Sequence, residues 1–201
     1  VTVVGWWLAI GLIGLLAFPL VRAGFGGLRD AGYPLARLVG LLFIAWASWL
    51  AGSVGIGYTR GTILLALLAL AALSAAFAWR DREGLAAYFR ERRREVLWTE
   101  GLILAFFLFD LAIRFGNPDL WHRFLGGEKP MDFAYLNAVI KSTSFPPFDP
   151  WYAGGYINYY YFGFVLVGTP VKLLGVVPSV AYNLILPTLF SLAAGAAYCV
   201  G

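Results

Sequence analysis

This 201-residue sequence predicts an all-α polytopic membrane protein with about six transmembrane helices and a long outer loop carrying a short amphipathic surface helix. Three observations predict it. Hydrophobic residues make up 61% of the chain and charged residues 13%, and the mean hydropathy of +0.76 lies well beyond that of a soluble globular domain. Apolar runs long enough to cross a hydrocarbon core recur along the chain. Most of the arginines gather in the connections between those runs, which is the mark of membrane topology.

The runs fall at about 2 to 21, 36 to 54, 61 to 79, 96 to 114, 156 to 174 and 178 to 200. In lipid each must be helical, because an open strand leaves backbone groups unpaired. The first run has no basic segment before it and no small-residue cleavage site after it, so it counts as a helix and not a removable signal. The fourth is the least apolar, since it carries Glu100 and Asp110. A chain that opens at Val1 and ends inside an apolar run is expected to be a piece of a longer protein, truncated at its C-terminus.

Charge sets the expected orientation. The segment 80 to 95, with Arg80, Arg82, Arg90, Arg92, Arg93 and Arg94, reads as cytoplasmic. Alternating outward from it places Arg22, Arg29, Arg37 and Lys172 on the same side and leaves Arg60, Arg114, Arg123, Lys129 and Lys141 outside, ten cations against five. The localisation expected is a multi-pass protein of the plasma membrane with loop 115 to 156 outside. The net charge of +4 is then topology and not nucleic-acid binding. Cys199 is the only cysteine, which excludes an intrachain disulfide and any multi-cysteine metal site. Trp79, Trp98, Trp121 and Trp151 fall where amphipathic rings favour the interface.

Polar chemistry concentrates between the fourth and fifth runs. Pro130 is placed as a first helical residue, with Asp132 in the first turn and Phe133, Leu136 and Ile140 on one apolar face. The dipole of that helix should keep Asp132 ionised as a general base; simple stabilisation of the helix start is the other reading. Glu128 and Lys129 follow two glycines and offer a carboxylate for an acceptor hydroxyl and an ammonium for a phosphate, or merely a surface ion pair. His122 and Arg123 suit a lipid-linked phosphate, although a single His beside Trp121 also fits a plain interface residue.

Phe145 to Asp149 holds two prolines and cannot be regular helix. Asp149 either orients a metal or caps a turn, and Glu128, Asp132 and Asp149 make an oxygen-rich site for a divalent cation only if they converge. Tyr159, Tyr160 and Tyr161 point in different directions around a helix, so not all can join a lipid-facing aromatic girdle. Asp110 is an ionisable group within a span and a functional candidate, with Arg114 one turn on as its expected partner; Glu100, nearer the inner end, is expected to snorkel to water.

Gly127-Glu128-Lys129-Pro130-Met131-Asp132, Pro146-Pro147-Phe148-Asp149-Pro150-Trp151-Tyr152-Ala153-Gly154-Gly155 and Ile157-Asn158-Tyr159-Tyr160-Tyr161-Phe162-Gly163 carry a resemblance. With them the sequence resembles a family of bacterial and archaeal polytopic membrane proteins named for a Tyr-Tyr-Tyr motif, whose function is unknown. That layout is in turn similar to the C-superfamily membrane glycosyltransferases, with Met131-Asp132-Phe133 standing where those enzymes carry a paired Asp-Glu. The resemblance implies residues 1–95 as an N-terminal three-helix membrane region and 96–201 as a glycosyltransferase-C-like one. It also implies a sugar donor on polyprenyl phosphate, an outer-face acceptor, Asp132 or Glu128 as catalytic carboxylate, and Lys129, Arg123, His122, Asp149, Trp151, Asn158, Tyr159, Tyr160 and Tyr161 as substrate contacts. A transporter or flippase of lipid-linked substrates, and a non-catalytic scaffold in the bilayer, are the competing expectations; the first calls for polar groups deep in several spans.

Overall fold

The computed structural model describes residues 2–120 and 127–201. Among them are eight α-helices and no strand beyond one isolated bridge, Phe148 to Tyr156. Helix α1 (Val3–Phe25) is followed by a 3-10 turn (Tyr33–Leu35) that runs straight into α2 (Ala36–Ser53), then by α3 (Arg60–Arg80), the short α4 (Arg82–Glu91), α5 (Arg93–Gly116), α6 (Lys129–Lys141), α7 (Tyr161–Leu174) and α8 (Pro178–Val200). Five stretches are long and apolar enough to cross a membrane: α1, Tyr33–Ser53, α3, α5 and α8. Their outward faces carry large apolar side chains at helical spacing, such as Val4, Leu8, Leu12 and Leu15 on α1 and Leu64, Leu65 and Leu68 on α3. Such surface is stable against acyl chains and not against water.

The bundle has two chemically distinct ends. A basic end holds the connection 26 to 32 and α4, whose Tyr88 hydroxyl donates to the Asp30 carbonyl at 2.9 Å. A loop end holds the segments 54 to 59 and 142 to 160, with the Tyr58 amide donating to the Thr143 carbonyl at 2.7 Å. Close packing of α1 on α2 is possible because glycines face across the seam. A Cβ on Gly14 would lie 2.6 Å from Arg37 Cγ, and one on Gly40 would lie 2.9 Å from the Ile13 carbonyl oxygen. Helix α8 runs antiparallel to α5, with Asn183 beside Arg114 at one end and Gly195 against Ile103 further along.

Arg37 is buried near the start of α2, and its guanidinium donates to both carboxylate oxygens of Glu100 on α5, at 3.0 and 2.5 Å. The Tyr33 hydroxyl adds a third bond to Glu100 at 2.9 Å, and the Trp7 ring lies 5.3 Å from the guanidinium carbon. Glu100 therefore does not snorkel away to water. Its charge is met by an arginine of a neighbouring helix at the same depth, which removes much of the cost of carrying either charge in a span.

The expected span at 156 to 174 does not cross the bundle. Helix α7 begins only at Tyr161, because Tyr156 bridges to Phe148 and the Ile157 amide donates to the Pro147 carbonyl. Fourteen residues make about 21 Å of helix, short of a hydrocarbon core of about 30 Å. Both its ends also stay at the loop end. The Tyr161 hydroxyl accepts from Trp49 Nε1 near the end of α2 at 3.1 Å, and the Lys172 carbonyl accepts from Arg60 Nε at the start of α3 at 2.9 Å. The Lys172 ammonium donates to the Ser142 carbonyl at 2.6 Å. Lys172 consequently lies at the end opposite Arg22 and Arg29, where alternation of six spans put it with them.

Two outcomes test this fold. With Cys199 replaced by Ser, single cysteines at Thr143 and Val177 should react with an impermeant thiol reagent from the same side of sealed vesicles, and one at Glu83 from the other. Opposite labelling of 143 and 177 would restore the sixth crossing. Glu100→Leu should cost about 3 kcal/mol of unfolding free energy in micelles by leaving Arg37 unpaired, and the double variant Arg37→Met, Glu100→Leu should recover most of it.

Candidate functional site

Helix α6 lies across the loop end. Its first turn meets α8, where the Phe133 and Tyr182 rings stand 5.9 Å apart, and the chain just past its last residue meets the α2–α3 connection. The helix starts at Lys129, one residue before the expected Pro130, with Glu128 as its N-cap. Leu136 is buried and Phe133 and Ile140 are half-buried, as the apolar face required, with Tyr135 and Val139 buried beside them. Helix α7 packs alongside in the same direction: Phe164 contacts Tyr135, and Gly168 lies against Leu136, Val139 and Ile140.

This parallel pairing brings the start of α7 beside the start of α6 and gathers one group of the candidate residues. The Asp132 amide donates to the Glu128 carbonyl at 2.9 Å, so the two carboxylates stand one helical turn apart. Half-burial, and then the Glu128 charge, push the Asp132 carboxyl above the usual carboxylate range. Desolvation and a like charge therefore act against the helix dipole, which by itself would hold the group ionised. Tyr160 lies in the same field. Partial desolvation, then Asp132 and Glu128, push its phenol upward. Tyr135 is moved the same way by desolvation, Asp149 and Tyr159. A carboxyl that titrates upward, beside a phenol held protonated, can accept a proton and donate a hydrogen bond at one place.

Asp149 caps a turn. Its Oδ1 accepts from the Trp151 amide at 2.8 Å, and its own amide donates to Gly155. Among the described residues no three of His, Cys, Asp and Glu come together as metal ligands; Glu128, Asp132 and Asp149 do not form the conditional oxygen-rich cluster. The turn presents an exposed aromatic surface instead. Phe148 and Tyr156 stack with centroids 4.8 Å apart, and Trp151, Tyr152 and Tyr159 are also largely exposed. Asn158 is exposed on the same segment.

The three consecutive tyrosines divide, although not by direction around a helix, since α7 begins only at Tyr161. Tyr159 and Tyr160 are exposed, with ring centroids 4.0 Å apart, whereas Tyr161 stacks on Phe145 and bonds to Trp49. Tyr161 is therefore a packing residue holding α7 to α2. Lys129 Nζ donates to the Asp119 carbonyl at 3.4 Å. His122 and Arg123, with Trp121, lie outside the described residues.

Asp110 and Arg114 form no ion pair. The Arg114 guanidinium turns to α8 and donates to Asn183 Oδ1 at 2.8 Å from Nε, while Asn183 Nδ2 donates to the Pro118 carbonyl. A neighbouring helix offered a better acceptor than the one a turn away. Sequence reasoning also passed over Lys172, Thr169 and Tyr58, which fix the far end of α7. Lys172 Nζ sits 4.3 Å from the Tyr58 ring centroid, and the Tyr58 and Thr169 hydroxyls are 3.0 Å apart. The run 156 to 174 is long enough to cross, so nothing in its length signalled that Lys172 stays at the loop end.

Residues 43–201 match the family model described as "Uncharacterized membrane protein (DUF2298)", a stretch that runs from within α2 through α8 and includes every residue of this site. No curated protein and no solved structure matches the chain.

If Glu128 is one of the two causes raising Asp132, its removal has a directional effect. In an infrared titration of the protonated carboxyl stretch, Glu128→Gln should move the Asp132 midpoint to lower pH while leaving it above that of a solvent-exposed Asp. An unchanged midpoint would assign the whole shift to burial.

Proposed function

The chain belongs to the DUF2298 family of uncharacterized membrane proteins, and on that premise we propose that it is a membrane glycosyltransferase moving a sugar from a polyprenyl-phosphate donor to an acceptor hydroxyl at the loop end. The observation that carries this reading is the half-buried Asp132 beside Glu128 and Tyr160, with its carboxyl pushed above the usual carboxylate range. A general base works best when its pKa approaches the working pH, and a desolvated carboxyl next to a second carboxylate is tuned in that direction.

In the reaction proposed, the acceptor oxygen bonds to the anomeric carbon as its proton passes to Asp132. The bond from that carbon to the donor phosphate oxygen breaks, and the polyprenyl phosphate leaves with the electron pair. Lys129, with Arg123 and His122 on the adjoining segment, would neutralise that leaving charge. The exposed rings of Trp151, Tyr159 and the Phe148–Tyr156 stack offer flat apolar faces to a sugar ring, and Asn158 offers both a donor and an acceptor.

Orientation supports an outer-face acceptor. With Lys172 moved to the loop end, the basic end still holds nine cations (Arg22, Arg29, Arg37, Arg80, Arg82, Arg90 and Arg92 to Arg94) against five at the loop end among the described residues (Arg60, Arg114, Lys129, Lys141 and Lys172), which favours the basic end as cytoplasmic. Polar groups within the spans are largely spent on one another: Arg37 on Glu100, Trp6 on Thr188, Arg114 on Asn183. That arrangement suits a static scaffold around a surface site better than a polar transport pathway.

The test is transfer of radiolabelled sugar from polyprenyl-phosphate donors by the full-length protein in lipid. Asp132→Asn should lower turnover by about 10²- to 10⁴-fold with folding and insertion unchanged. Because the base must be deprotonated, the wild-type rate should fall as pH drops through the raised Asp132 pKa, and Glu128→Gln should move that limb to lower pH. Full turnover in Asp132→Asn would overturn the assignment of the base, and no turnover with any donor would shift the function to transport or scaffolding.

A further inference from the structure

A cavity lies at the basic end, away from the site above. It has a volume of about 720 Å³ and opens where α1, α3 and α4 meet. Four arginines line it, Arg22, Arg29, Arg80 and Arg92, against two carboxylates, Asp81 and Glu91. Its remaining wall is apolar, supplied by Pro19 and Ala23 of α1, Phe77 and Ala78 of α3, and Leu85 of α4. An apolar wall contributed by the spans and a cationic rim at their ends is the layout of a pocket at a membrane surface.

The cations are arranged in two ways. Arg22 and Arg92 are braced: Arg22 Nε donates to Asp81 Oδ2 at 3.0 Å, and Arg92 Nη1 donates to the Arg29 carbonyl at 2.6 Å and to Glu95 at 2.9 Å. The Arg22–Asp81 contact needs a glycine beside it, because a Cβ on Gly84 would lie 2.2 Å from Asp81 Oδ1 and 2.9 Å from Arg22 Nη2. Arg29 and Arg80, by contrast, have no partner for their guanidinium groups among the described residues, and both are exposed at the rim. Bracing holds two of the cations in place, and the two exposed forks are left able to exchange water for a ligand.

We propose that this cavity binds a phosphate group carried on an apolar or small organic body, with Arg29 and Arg80 as the grasping residues and Arg22 as the fixed one. Guanidinium groups match phosphate oxygens in paired hydrogen bonds, and each contact strengthens beside a low-dielectric wall. The chemistry fits the headgroup of an anionic phospholipid and equally a soluble phosphate ester.

Native mass spectrometry of the full-length protein released from nanodiscs separates these sources. One arm uses phosphatidylglycerol nanodiscs with phosphatidylcholine as control, and the other adds glycerol phosphate to the phosphatidylcholine sample. Retention of phosphatidylglycerol, or of glycerol phosphate, should fall about tenfold or more in Arg29→Gln, Arg80→Gln. The control is Arg93→Gln, Arg94→Gln, which removes the same charge from the same end outside the cavity and should leave retention unchanged. Retention by phosphatidylglycerol alone identifies a lipid site; retention of glycerol phosphate identifies an ester site. Equal loss in both double variants would show only diffuse attraction to a basic surface, and no loss in either, or no retention by the wild type, would equally overturn the proposal. Circular dichroism of both variants checks that the helices persist.

Discussion

The Arg37–Glu100 pair is the constraint on which the helical arrangement turns. It is the charged contact between α2 and α5, and so it ties the helices before the α4 segment to those after it. The pair is workable only because of what surrounds it: Gly14 lets the backbone of α1 come against Arg37, Trp7 covers the guanidinium, and Tyr33 fills a further acceptor site on Glu100. Remove that shell and the pair loses its cover and its third hydrogen bond. With it in place, α1, α2 and α5 are held in one register, and α8 follows through the Trp6–Thr188 and Arg114–Asn183 bonds.

At the loop end a different constraint operates. The segment 145 to 160 spends its residues on a turn and a bridge, so too few remain in α7 for a crossing. The Phe145–Pro146 peptide in that segment is cis. Because α7 stays at this end, it packs parallel to α6 along its length, with Tyr160 at its start in the field of Asp132. Had it crossed, its start would still lie near α6, but Lys172 would be lost to Ser142 and the second helix would no longer brace the first along its length.

Hydropathy and charge made the five long spans legible, along with the helix carrying Asp132 and the non-helical proline segment. Each of these depends on composition or on spacing within one element. What was not legible depended on contacts between elements. Hydropathy registers how apolar 156 to 174 is and not that its first five residues are held by Phe148 and Pro147. The Asp110–Arg114 pairing was sound helical spacing, yet Asn183 on another helix captured the arginine. Glu100 was discounted although Arg37, of opposite charge, sat in a different apolar run near the same end, and that coincidence was a usable signal. The upward shift of the Asp132 carboxyl turned on burial and on Glu128, and only the second of these was visible in the chain.

The hold on α7 also constrains how the protein is made. A helix of this length is not retained in the bilayer by its own apolarity, and its anchors belong to other segments: Trp49 on α2, Arg60 on α3, Ser142 just after α6. It can settle only once those segments are already in position. The neighbourhood of Asp132 is therefore held in place by the rest of the bundle and not by the apolarity of α7 itself.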